Sequence, residues 1–544
     1  QFASSAASDV YKRQDDDYAH DVVADHLGRV AIAGYSESNN LPLLDPSNGG
    51  GAYFESFGTS NADAYIARFN GNTGFHQWGT YYPGDEGESF EGLATDNESN
   101  IYAVGWTSSS NVDLLDPADG SWFSTTGQGL ITRFDSAAEL TWATRYGVGG
   151  VGIPNGTKIH DVDHDGVRNL YLTGQTSEGA NFPIVLADTA SYFQDSTYGG
   201  GSNDAFVARL SNTCGTDGIC WSTYFGGPGA DIGHSVAYNS SNGVQDIYVT
   251  GETVSQIGFP HHLSPNPNGY NDTTFGGGVF FPDMFIARFS NNGQQKWATY
   301  YGTGGQDRGR SVFVHNSPET RVYVTGQIGD DDVDLVELAD YYYQDPASGG
   351  TQLIQDAVIL AFDNQDSMRW GTAFGGSAAD IGWDIAVSGG DAIYLCGETA
   401  STQWIDLSYV KFPLCEKMSP AYFQSLPDSV EEIQHSEAFI SKFQIPFITG
   451  IETEHPLSDA FSGLTVFPNP NKGGFNYLLN RPNFAVGQIS VANVFGQVLH
   501  QNMQEFFAGE NIFFLDLGKL PNGFYLLNVF IDGENITGKI VIER

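Results

Sequence analysis

The sequence predicts an all-β protein, and three observations support this fold class. Short segments that alternate apolar and polar residues recur in a fixed order, for example DAFVARL (204–210), WSTYFGG (221–227), SVAYN (235–239) and IYVTGET (247–253). Turns rich in Gly, Asn and Asp, the residues that hairpins favour, separate these segments. No run of eighteen apolar residues occurs, so we expect no transmembrane helix. Alternation with a period of two is the pattern of half-buried strands.

The first segment of each copy is an apolar strand that ends in Phe or Leu. It occurs six times, at 64–69, 130–134, 205–210, 284–289, 357–362 and 438–443. The second segment contains a Trp residue in five copies: Trp78, Trp142, Trp221, Trp297 and Trp370. Because large aromatic residues dominate core burial, we expect these Trp side chains to pack between neighbouring sheets.

The third segment resembles SVAY, and the fourth runs into a glycine that recurs at steps of 69 to 77 residues. These glycines are Gly34, Gly105, Gly174, Gly251, Gly326 and Gly397. Four strands per unit, repeated about six times, predict a β-propeller of about six four-stranded blades. An array of β-sandwiches would need units of about 100 residues with about seven strands each.

The two ends of the repeat region, which spans 15–443, are incomplete. The copy at 438–443 has no Trp segment after it, and residues 17–34 have no Trp segment before them. We therefore expect one blade to be divided between the two ends, and a seventh blade if a further copy precedes it in the full-length protein. Residues 1–14 resemble a translated sequencing adapter, so we expect them to be an artefact and any signal peptide to lie upstream.

A long segment joins the fourth strand of each copy to the next first strand, and it carries a cluster of aromatic residues. The clusters are AYFES (52–56), SWFST (121–125), SYFQD (191–195), VFFPD (279–283), YYYQD (341–345) and AYFQS (421–425). Insertions at equivalent positions of a repeat emerge on one face, which is commonly the binding face. Alternatively, the aromatic side chains fix the long segments against the sheets.

The charge balance limits the classes of partner. The chain contains 65 Asp and Glu residues but only 23 Lys and Arg residues, which gives a net charge of −42. Nucleic acids and anionic membranes attract basic surfaces, so neither is an expected partner. Carboxylates on such a surface are available for divalent cations.

An acidic residue stands near the start of the third segment in several copies, as Asp231, Asp307 and Asp380. A residue that recurs in this way favours a structural role, such as accepting backbone hydrogen bonds in the same turn of each unit. No sequence motif of a serine hydrolase, zinc protease or P-loop enzyme is present.

The segment DVDHDGVRNLYL (161–172) predicts a calcium site. Asp161, Asp163 and Asp165 alternate before a glycine, which is the spacing at which carboxylates converge on one cation. The segment resembles the loops of integrin-type propellers, with Asn169 at the position of a further acidic ligand. A plain Asp-Gly turn is the alternative, because other copies place ordinary turns here.

The chain contains four cysteines, and their spacing predicts one small disulfide loop. Cys214 and Cys220 lie close together in NTCGTDGICW, which suits a disulfide in an oxidising compartment. Cys396 and Cys415 are candidates for a second bridge. A zinc site is not expected, because no second close pair of Cys or His residues accompanies the first.

The recurring motifs DAFVARL, WSTYFGG, SVAY and IYVTGET resemble the SBBP-type β-propeller repeats of bacterial surface and secreted proteins. The resemblance covers 15–443, and the second unit, 106–174, departs from it most because GTKIHDVDHDG replaces its third segment. This resemblance implies a propeller located outside the cell.

The last part of the chain, 464–544, resembles the type A C-terminal sorting domain of the type IX secretion system in Bacteroidota. The matching residues are Pro468, Asn469, Pro470, Gly473, Gly523, Tyr525 and Lys539. The resemblance implies a small immunoglobulin-like β-sandwich that the secretion machinery recognises and then removes. Residues 444–463 would form the linker in which cleavage occurs.

These observations favour a secreted or cell-surface binding protein over an enzyme. The leading hypothesis is a propeller that binds glycans or proteins and is exported by the type IX route. A secreted hydrolase or lyase with its active site on the propeller face is the alternative, and an architectural module of a longer surface protein is a third possibility.

Overall fold

A computed structural model describes most of the chain outside the long connecting segments. The described residues are 16–46, 51–56, 58, 61–149, 156–177, 182–187, 192, 199–215, 217–240, 243–278, 281–316, 320–329, 333–338, 342–346, 355–376, 378–388, 392–401, 437–444, 465–467, 474–481, 485–493, 498–506, 509–531 and 534–542. They form two compact units, one up to Phe447 and one from Ile448. Every regular element among them is a β-strand, so the all-β prediction is confirmed.

The first unit consists of six antiparallel sheets, five with four described strands and one with three. Sheet 1 contains β1 (Asp17–Ala24), β2 (Arg29–Ser36), β3 (Asp63–Asn70) and β4 (His76–Tyr82). Sheet 2 contains β5 (Glu88–Thr95), β6 (Ile101–Thr107), β7 (Gly129–Phe134) and β8 (Leu140–Tyr146). Sheet 3 contains β9 (Lys158–His164), β10 (Leu170–Thr176), β11 (Asp204–Leu210) and β12 (Ile219–Phe225).

The remaining sheets of this unit follow the same order. Sheet 4 contains β13 (Asp231–Asn239), β14 (Asp246–Thr253), β15 (Asp283–Ser290) and β16 (Gln295–Tyr301). Sheet 5 contains β17 (Arg308–His315), β18 (Arg321–Ile328), β19 (Asp356–Asp363) and β20 (Met368–Phe374). Sheet 6 contains β21 (Asp380–Ser388), β22 (Ala392–Thr399) and β23 (Glu437–Gln444). In each sheet the spatial order of the strands is their order along the chain.

Residues 17–34 and 438–443 lie in different sheets, contrary to the expectation that they share one blade. The sixth sheet has three described strands, and the loss of its Trp strand with upstream sequence stays a prediction. The first four strands pair with one another, and β23 pairs with β22. Each sheet therefore begins with the SVAY-like strand, and each of the first five sheets ends with the Trp strand. The long segment after each glycine strand connects two paired strands of one sheet, whereas the short connection after each Trp strand leads into the next sheet.

Successive sheets pack face to face around separate apolar cores. Each core combines side chains of two neighbouring sheets, and one Trp of the recurring segment lies in each. All five Trp side chains are buried, as the sequence predicts. The first strand of every sheet also contacts the first strand of the next.

Hydrogen bonds fix these first strands side by side. The backbone N–H of Leu93 donates to Asp21 Oδ2 (2.6 Å), and that of Val236 donates to Asp161 Oδ2 (2.8 Å). Each bond joins one sheet to the following sheet, because the donor and the acceptor lie on successive first strands.

Three described aromatic clusters of the long segments are fixed against the sheets. The indole N–H of Trp78 donates to the carbonyl of Tyr53 (2.9 Å), and Trp142 donates to Trp122 (2.9 Å). Trp370 donates to Tyr342 in the same way (3.1 Å). These contacts favour the interpretation in which the aromatic clusters hold the long segments in place.

The second unit consists of two antiparallel sheets. One contains β24 (Thr465–Phe467), β25 (Gly474–Arg481) and β28 (Gly509–Asp516). The other contains β26 (Ala485–Asn493), β27 (Val498–Phe506), β29 (Gly523–Ile531) and β30 (Glu534–Ile542). Apolar side chains of both sheets share one core, which includes Phe475, Val491 and Leu527.

No helix with the length and apolarity needed to span a membrane occurs among the residues described above.

Candidate functional site

The candidate site is a row of β-bulges on the first strands of the six sheets. In each of these strands one residue interrupts the pairing with the second strand. We call these six residues the bulge row: His20, Glu91, His160, His234, Arg310 and Trp383. A bulge leaves the extra residue unpaired and redirects its side chain, which is why bulges occur so often beside functional sites.

The recurring glycine of the second strand makes room for the bulge. A Cβ atom on Gly326 would lie 1.8 Å from the carbonyl oxygen of Arg308, and one on Gly251 would lie 1.9 Å from that of Ile232. Any larger residue would push the first strand away at this point. The glycine that defines the repeat is therefore required by the local backbone geometry.

Glu91 connects the bulge row of the first two sheets. Its Oε2 lies 2.9 Å from Nδ1 of His20, and its Oε1 accepts a hydrogen bond from the indole of Trp106 (2.9 Å). Burial by itself would raise the pKa of Glu91, but the hydrogen bond and charge of His20, with the charge of His160, lower it to about 2. Glu91 is therefore a carboxylate at neutral pH.

Two histidines continue the row in the third and fourth sheets. The rings of His160 and His234 stack with their centroids 5.6 Å apart, and His160 Nδ1 donates to the carbonyl of Gly233 (3.1 Å). Burial and the proximity of His234 lower the pKa of His160 to about 4. His160 is consequently neutral at pH 7 and is suited to hydrogen bonding.

Arg310 and Trp383 complete the row. Arg310 Nη1 donates to Nε2 of His234 (3.2 Å), and its guanidinium lies 4.8 Å from the centroid of the Trp383 ring. The Trp383 side chain is 45% exposed, which is unusual for a residue of its size. Beside them, Arg308 Nε lies 2.5 Å from Glu252 Oε2.

The bulge row combines fixed donors, fixed acceptors and an exposed aromatic ring. This combination suits noncovalent recognition of a polar ligand, because polar groups orient the ligand while the ring covers an apolar part of it. Among the described residues, no cluster of three or more His, Cys, Asp or Glu side chains is arranged to hold a metal ion.

Three positions before each bulge residue lies an anchor residue, which is the first residue of the first strand or the residue just before it. We call this set the anchor row: Asp17, Glu88, Thr157, Asp231, Asp307 and Asp380. Asp231 Oδ2 accepts hydrogen bonds from the Gly227 N–H (2.8 Å) and the Ser255 hydroxyl (3.0 Å). Asp307 and Asp380 accept equivalent backbone bonds from Thr303 and Gly376. These hydrogen bonds agree with the structural role that the sequence predicts for the recurring aspartates.

The four residues of the predicted calcium site do not converge. Asp161 and Asp163 lie within β9, and each accepts a backbone hydrogen bond from β13, Asp163 from Tyr238 (2.6 Å). Asp165 lies in the following turn, where its Oδ1 accepts three backbone N–H groups. Asn169 donates to Asp165 and accepts from Arg209. This arrangement does not fit a shared cation, and calcium binding at this segment stays a prediction.

The structure joins Cys214 and Cys220 by a disulfide, with their Cα atoms 4.9 Å apart. Cys396 is a free thiol in the structure. Its suggested partner, Cys415, lies outside the described residues.

Three residues of the predicted sorting signal are described. Tyr525 is buried, and its hydroxyl donates to the carbonyl of Pro521 (2.8 Å). The Lys539 ammonium lies 4.6 Å from the centroid of the Phe524 ring, one residue after Gly523. Pro468, Asn469, Pro470 and Gly473 lie outside the described residues.

Residues 465–543 match the family described as a secretion system C-terminal sorting domain. The prediction of a sorting domain at the end of the chain is thereby confirmed. A search of curated proteins gives no match.

Similarity to solved structures is low throughout. A copper-bound fungal alcohol oxidase of the AA5 family shares 12% identity over 98% of this chain and 100% of that chain, with a TM-score of 0.31. A Bacillus subtilis arabinoxylan arabinofuranohydrolase of glycoside hydrolase family 43 shares 11% over 96% of each chain, with a TM-score of 0.27. Latent PorU from Porphyromonas gingivalis shares 11% over 69% of this chain and 31% of its own, with a TM-score of 0.15. TM-scores this low do not establish a common fold with any of these proteins.

Proposed function

We propose that this protein is a β-propeller of the SBBP repeat type that acts outside the cell, where its bulge row binds a glycan or protein ligand. The sorting domain supports export to the secreted or cell-surface compartment by the type IX secretion machinery. A Bacteroidota source and removal of the tail after export belong to the same proposal.

Packing and electrostatics support the ring arrangement. The first strands contact one another in succession from sheet 1 to sheet 6. Burial raises the pKa of Asp21 well above its ordinary value, and the charges of Asp161 and Asp384 add to the increase. These three carboxylates belong to the first, third and sixth sheets. Their mutual influence is expected when all six first strands surround one axis.

The observation that carries the binding proposal is chemical variety at a constant position. The six bulges occupy the same register in six sheets, yet their side chains are of four types: three are imidazoles, and the others are the carboxylate of Glu91, the guanidinium of Arg310 and the indole of Trp383. A structural role in a repeated geometry selects the same residue type repeatedly, as the anchor row does. A row that combines His, Glu, Arg and Trp side chains at one position is suited to an asymmetric ligand.

Glycan and protein arrays probed with the full chain test this proposal. We expect a specific ligand for the wild-type chain and a loss of affinity of tenfold or more for Trp383→Ala, because exposed aromatic residues are common binding hot spots. Phe75→Ala is the matched control, since Phe75 is a 74% exposed aromatic residue in the turn between β3 and β4. We expect Phe75→Ala to bind normally.

Three outcomes would contradict the proposal. Equal affinities of the wild-type chain and Trp383→Ala would exclude the bulge row as the binding site. The absence of any ligand on both arrays would favour the architectural role. Turnover of an array glycan would favour the hydrolase or lyase alternative.

A further inference from the structure

We infer that a cavity between sheets 2 and 3 is a second binding site, separate from the bulge row, and that it binds a sugar residue carrying a carboxylate. The cavity lies at the hairpin turns where the first strands end, whereas the anchor row lies where they begin. Its volume is about 360 Å³. Small-molecule sites have volumes from about 300 Å³ upward, so one sugar residue fits. The residues that line the cavity include Asn97, Glu98, Tyr102, Trp122, Arg133 and Arg168.

Two rigid turns form opposite walls of the cavity. In the turn after β5, Asp96 Oδ1 accepts the N–H groups of Glu98 and Asn100, each at 2.9 Å. In the turn after β9, Asp165 Oδ1 accepts three N–H groups, including that of Arg168 (2.7 Å). A hydrogen bond from the Asn97 N–H to the carbonyl of Gly166 (3.0 Å) joins the two turns. The walls are therefore formed before any ligand binds.

The disulfide supports a third wall. Gly218, inside the loop closed by Cys214 and Cys220, donates to the carbonyl of Cys214 (3.1 Å). A Cβ atom on Gly218 would lie 2.3 Å from the backbone nitrogen of Trp122, so the loop packs directly against the Trp122 segment. The Trp122 indole N–H donates to the carbonyl of Arg145 (3.0 Å), which fixes the ring.

The cavity is lined by two carboxylates, Asp96 and Glu98, and two guanidinium groups, Arg133 and Arg168. The oxygens of Asp96 are occupied by internal donors, because its Oδ2 also accepts hydrogen bonds from Asn100 (2.7 Å) and the Tyr102 hydroxyl (3.2 Å). The closest Asp119 oxygen lies 3.9 Å from Arg133, which is a weak contact. Among the described residues, the guanidinium of Arg168 has no ion-pair or hydrogen-bond partner.

A pyranose sugar that carries a carboxylate can contact the arginine, aromatic and acidic side chains of this cavity. Arg168 presents a planar fork that matches a carboxylate, and Arg133, whose Nε donates to the Thr141 hydroxyl (2.8 Å), adds positive charge beside it. Trp122 offers a ring face to the apolar side of the sugar. Glu98, which is exposed at the rim, can accept a sugar hydroxyl. In a chain with a net charge of −42, the Arg168 guanidinium, which has no partner among the described residues, is the feature that attracts an acidic ligand here.

The site is specific to this pair of sheets. One wall comes from the segment at 161–172 that departs from the repeat, and another comes from the disulfide loop at 214–220. Neither feature recurs at the equivalent positions of the other copies in the sequence. The acidic segment that predicts calcium therefore provides a turn that shapes the cavity.

Titration of the full chain with methyl glucuronide and methyl glucoside, followed by calorimetry and Trp fluorescence, tests this inference. We expect the glucuronide to bind at least tenfold more tightly than the glucoside. Arg168→Gln should abolish that preference, and Arg369→Gln, which alters an arginine with 47% exposure on β20, should retain it. Trp383→Ala should also bind the glucuronide normally, which separates this site from the bulge row.

Two results would overturn the inference. One is equal binding, or no binding, of the two sugars by the wild-type chain. The other is a preference for the glucuronide that survives Arg168→Gln. A normal thermal transition of Arg168→Gln shows that the variant is folded, and substitution at this exposed side chain should not disturb the fold.

Discussion

The anchor row and the bulge row lie three residues apart on the same six strands, and they differ in almost every other respect. Anchor residues are mostly carboxylates, and Asp231 and Asp380 are completely buried with backbone and hydroxyl donors around one oxygen. Bulge residues are of four types, three of the six being histidine, and one of them, Trp383, is 45% exposed. The same strand thus carries a repeated structural contact and a variable surface contact.

The six copies of the repeat can be compared with one another, and this comparison separates residues that the fold requires from residues that it leaves free. Where both the geometry and the residue type recur, the fold itself requires the side chain. Where the geometry recurs but the residue type changes, the backbone does not determine the choice.

The two rows should respond differently to pH. Burial raises the pKa of the anchor residues Asp231 and Glu88 to about 7, and that of Asp204, at the start of β11, to about 8. Their folded-state pKa values lie above the unfolded ones, so their stabilising contribution is lost as the pH rises through 7 to 8. In contrast, the pKa values of Glu91 and Glu252 are lowered to about 2, so they do not titrate there.

We therefore expect the free energy of unfolding to fall by roughly 3 kcal/mol between pH 6.5 and 8. Urea denaturation at several pH values in this window measures the change. His160, whose pKa is lowered to about 4, affects stability mainly between pH 4 and its unfolded pKa of about 6.5, so it contributes little within this window. A free energy that stays constant or increases toward pH 8 would show that the buried carboxylates do not behave as described.

Removal of one anchor carboxylate should be the largest effect of a single substitution. Asp380→Ala leaves the Gly376 N–H and the Ser401 hydroxyl without their acceptor, which lies at 2.7 Å and 2.8 Å respectively. Unsatisfied buried donors cost about 1–3 kcal/mol each, so we expect a loss of about 2–3 kcal/mol at pH 6. Asp380→Asn retains an acceptor oxygen and is the control. Equal losses for both variants would assign the effect to packing instead.

Much of this fold can be predicted from the sequence, because strand alternation and the recurring Trp residues depend on local burial. The sheet boundaries cannot be predicted in this way. Only five residues separate β4 from β5, which lie in different sheets, whereas 26 residues separate β2 from β3, which pair. The lengths of these connections would place β4 and β5 in one sheet and β2 and β3 in different sheets, which is wrong, because short connections usually join paired strands.

The bulge row could not be predicted from the sequence, and the reason is physical. A bulge depends on backbone pairing, and the bulge residue has no characteristic side chain. Two signals mark its position: the glycine on the second strand and the anchor residue three positions earlier. The calcium pattern failed to bring its carboxylates together because Asp161 and Asp163 lie in a strand, where alternate side chains face the next sheet.

Loss of the disulfide should have a somewhat smaller effect than loss of an anchor. Closing the short loop between Cys214 and Cys220 contributes roughly 2 kcal/mol by restricting the unfolded chain. We expect the double variant Cys214→Ser/Cys220→Ser to lose this amount in urea denaturation. Cys396→Ser is the matched control, because Cys396 is a half-buried free thiol in the structure. A double variant as stable as the wild-type chain would mean that the loop is already ordered without its bridge.

Replacement of Asp163 should reduce stability by about 1 kcal/mol, since it removes the acceptor of one backbone hydrogen bond from Tyr238. The loss for Asp163→Ala should be the same in calcium and in a chelator, because the carboxylate contacts the neighbouring sheet. Thermal melting under both conditions measures it. If calcium raises the transition of the wild-type chain but not that of the variant, the calcium prediction is correct and the hydrogen bond is secondary.

Replacement of Trp383 should have the smallest effect on stability, although it lies on the same strand as Asp380. The ring is 45% exposed and its described contact is with Arg310, so Trp383→Ala should cost no more than about 1 kcal/mol. Urea denaturation of Trp383→Ala beside Asp380→Ala measures the difference directly. A loss as large as that of the anchor variant would make the bulge residue part of the core. A small loss accompanied by weaker ligand binding would separate the two rows, because one residue would then serve the fold and its neighbour three positions away would serve recognition.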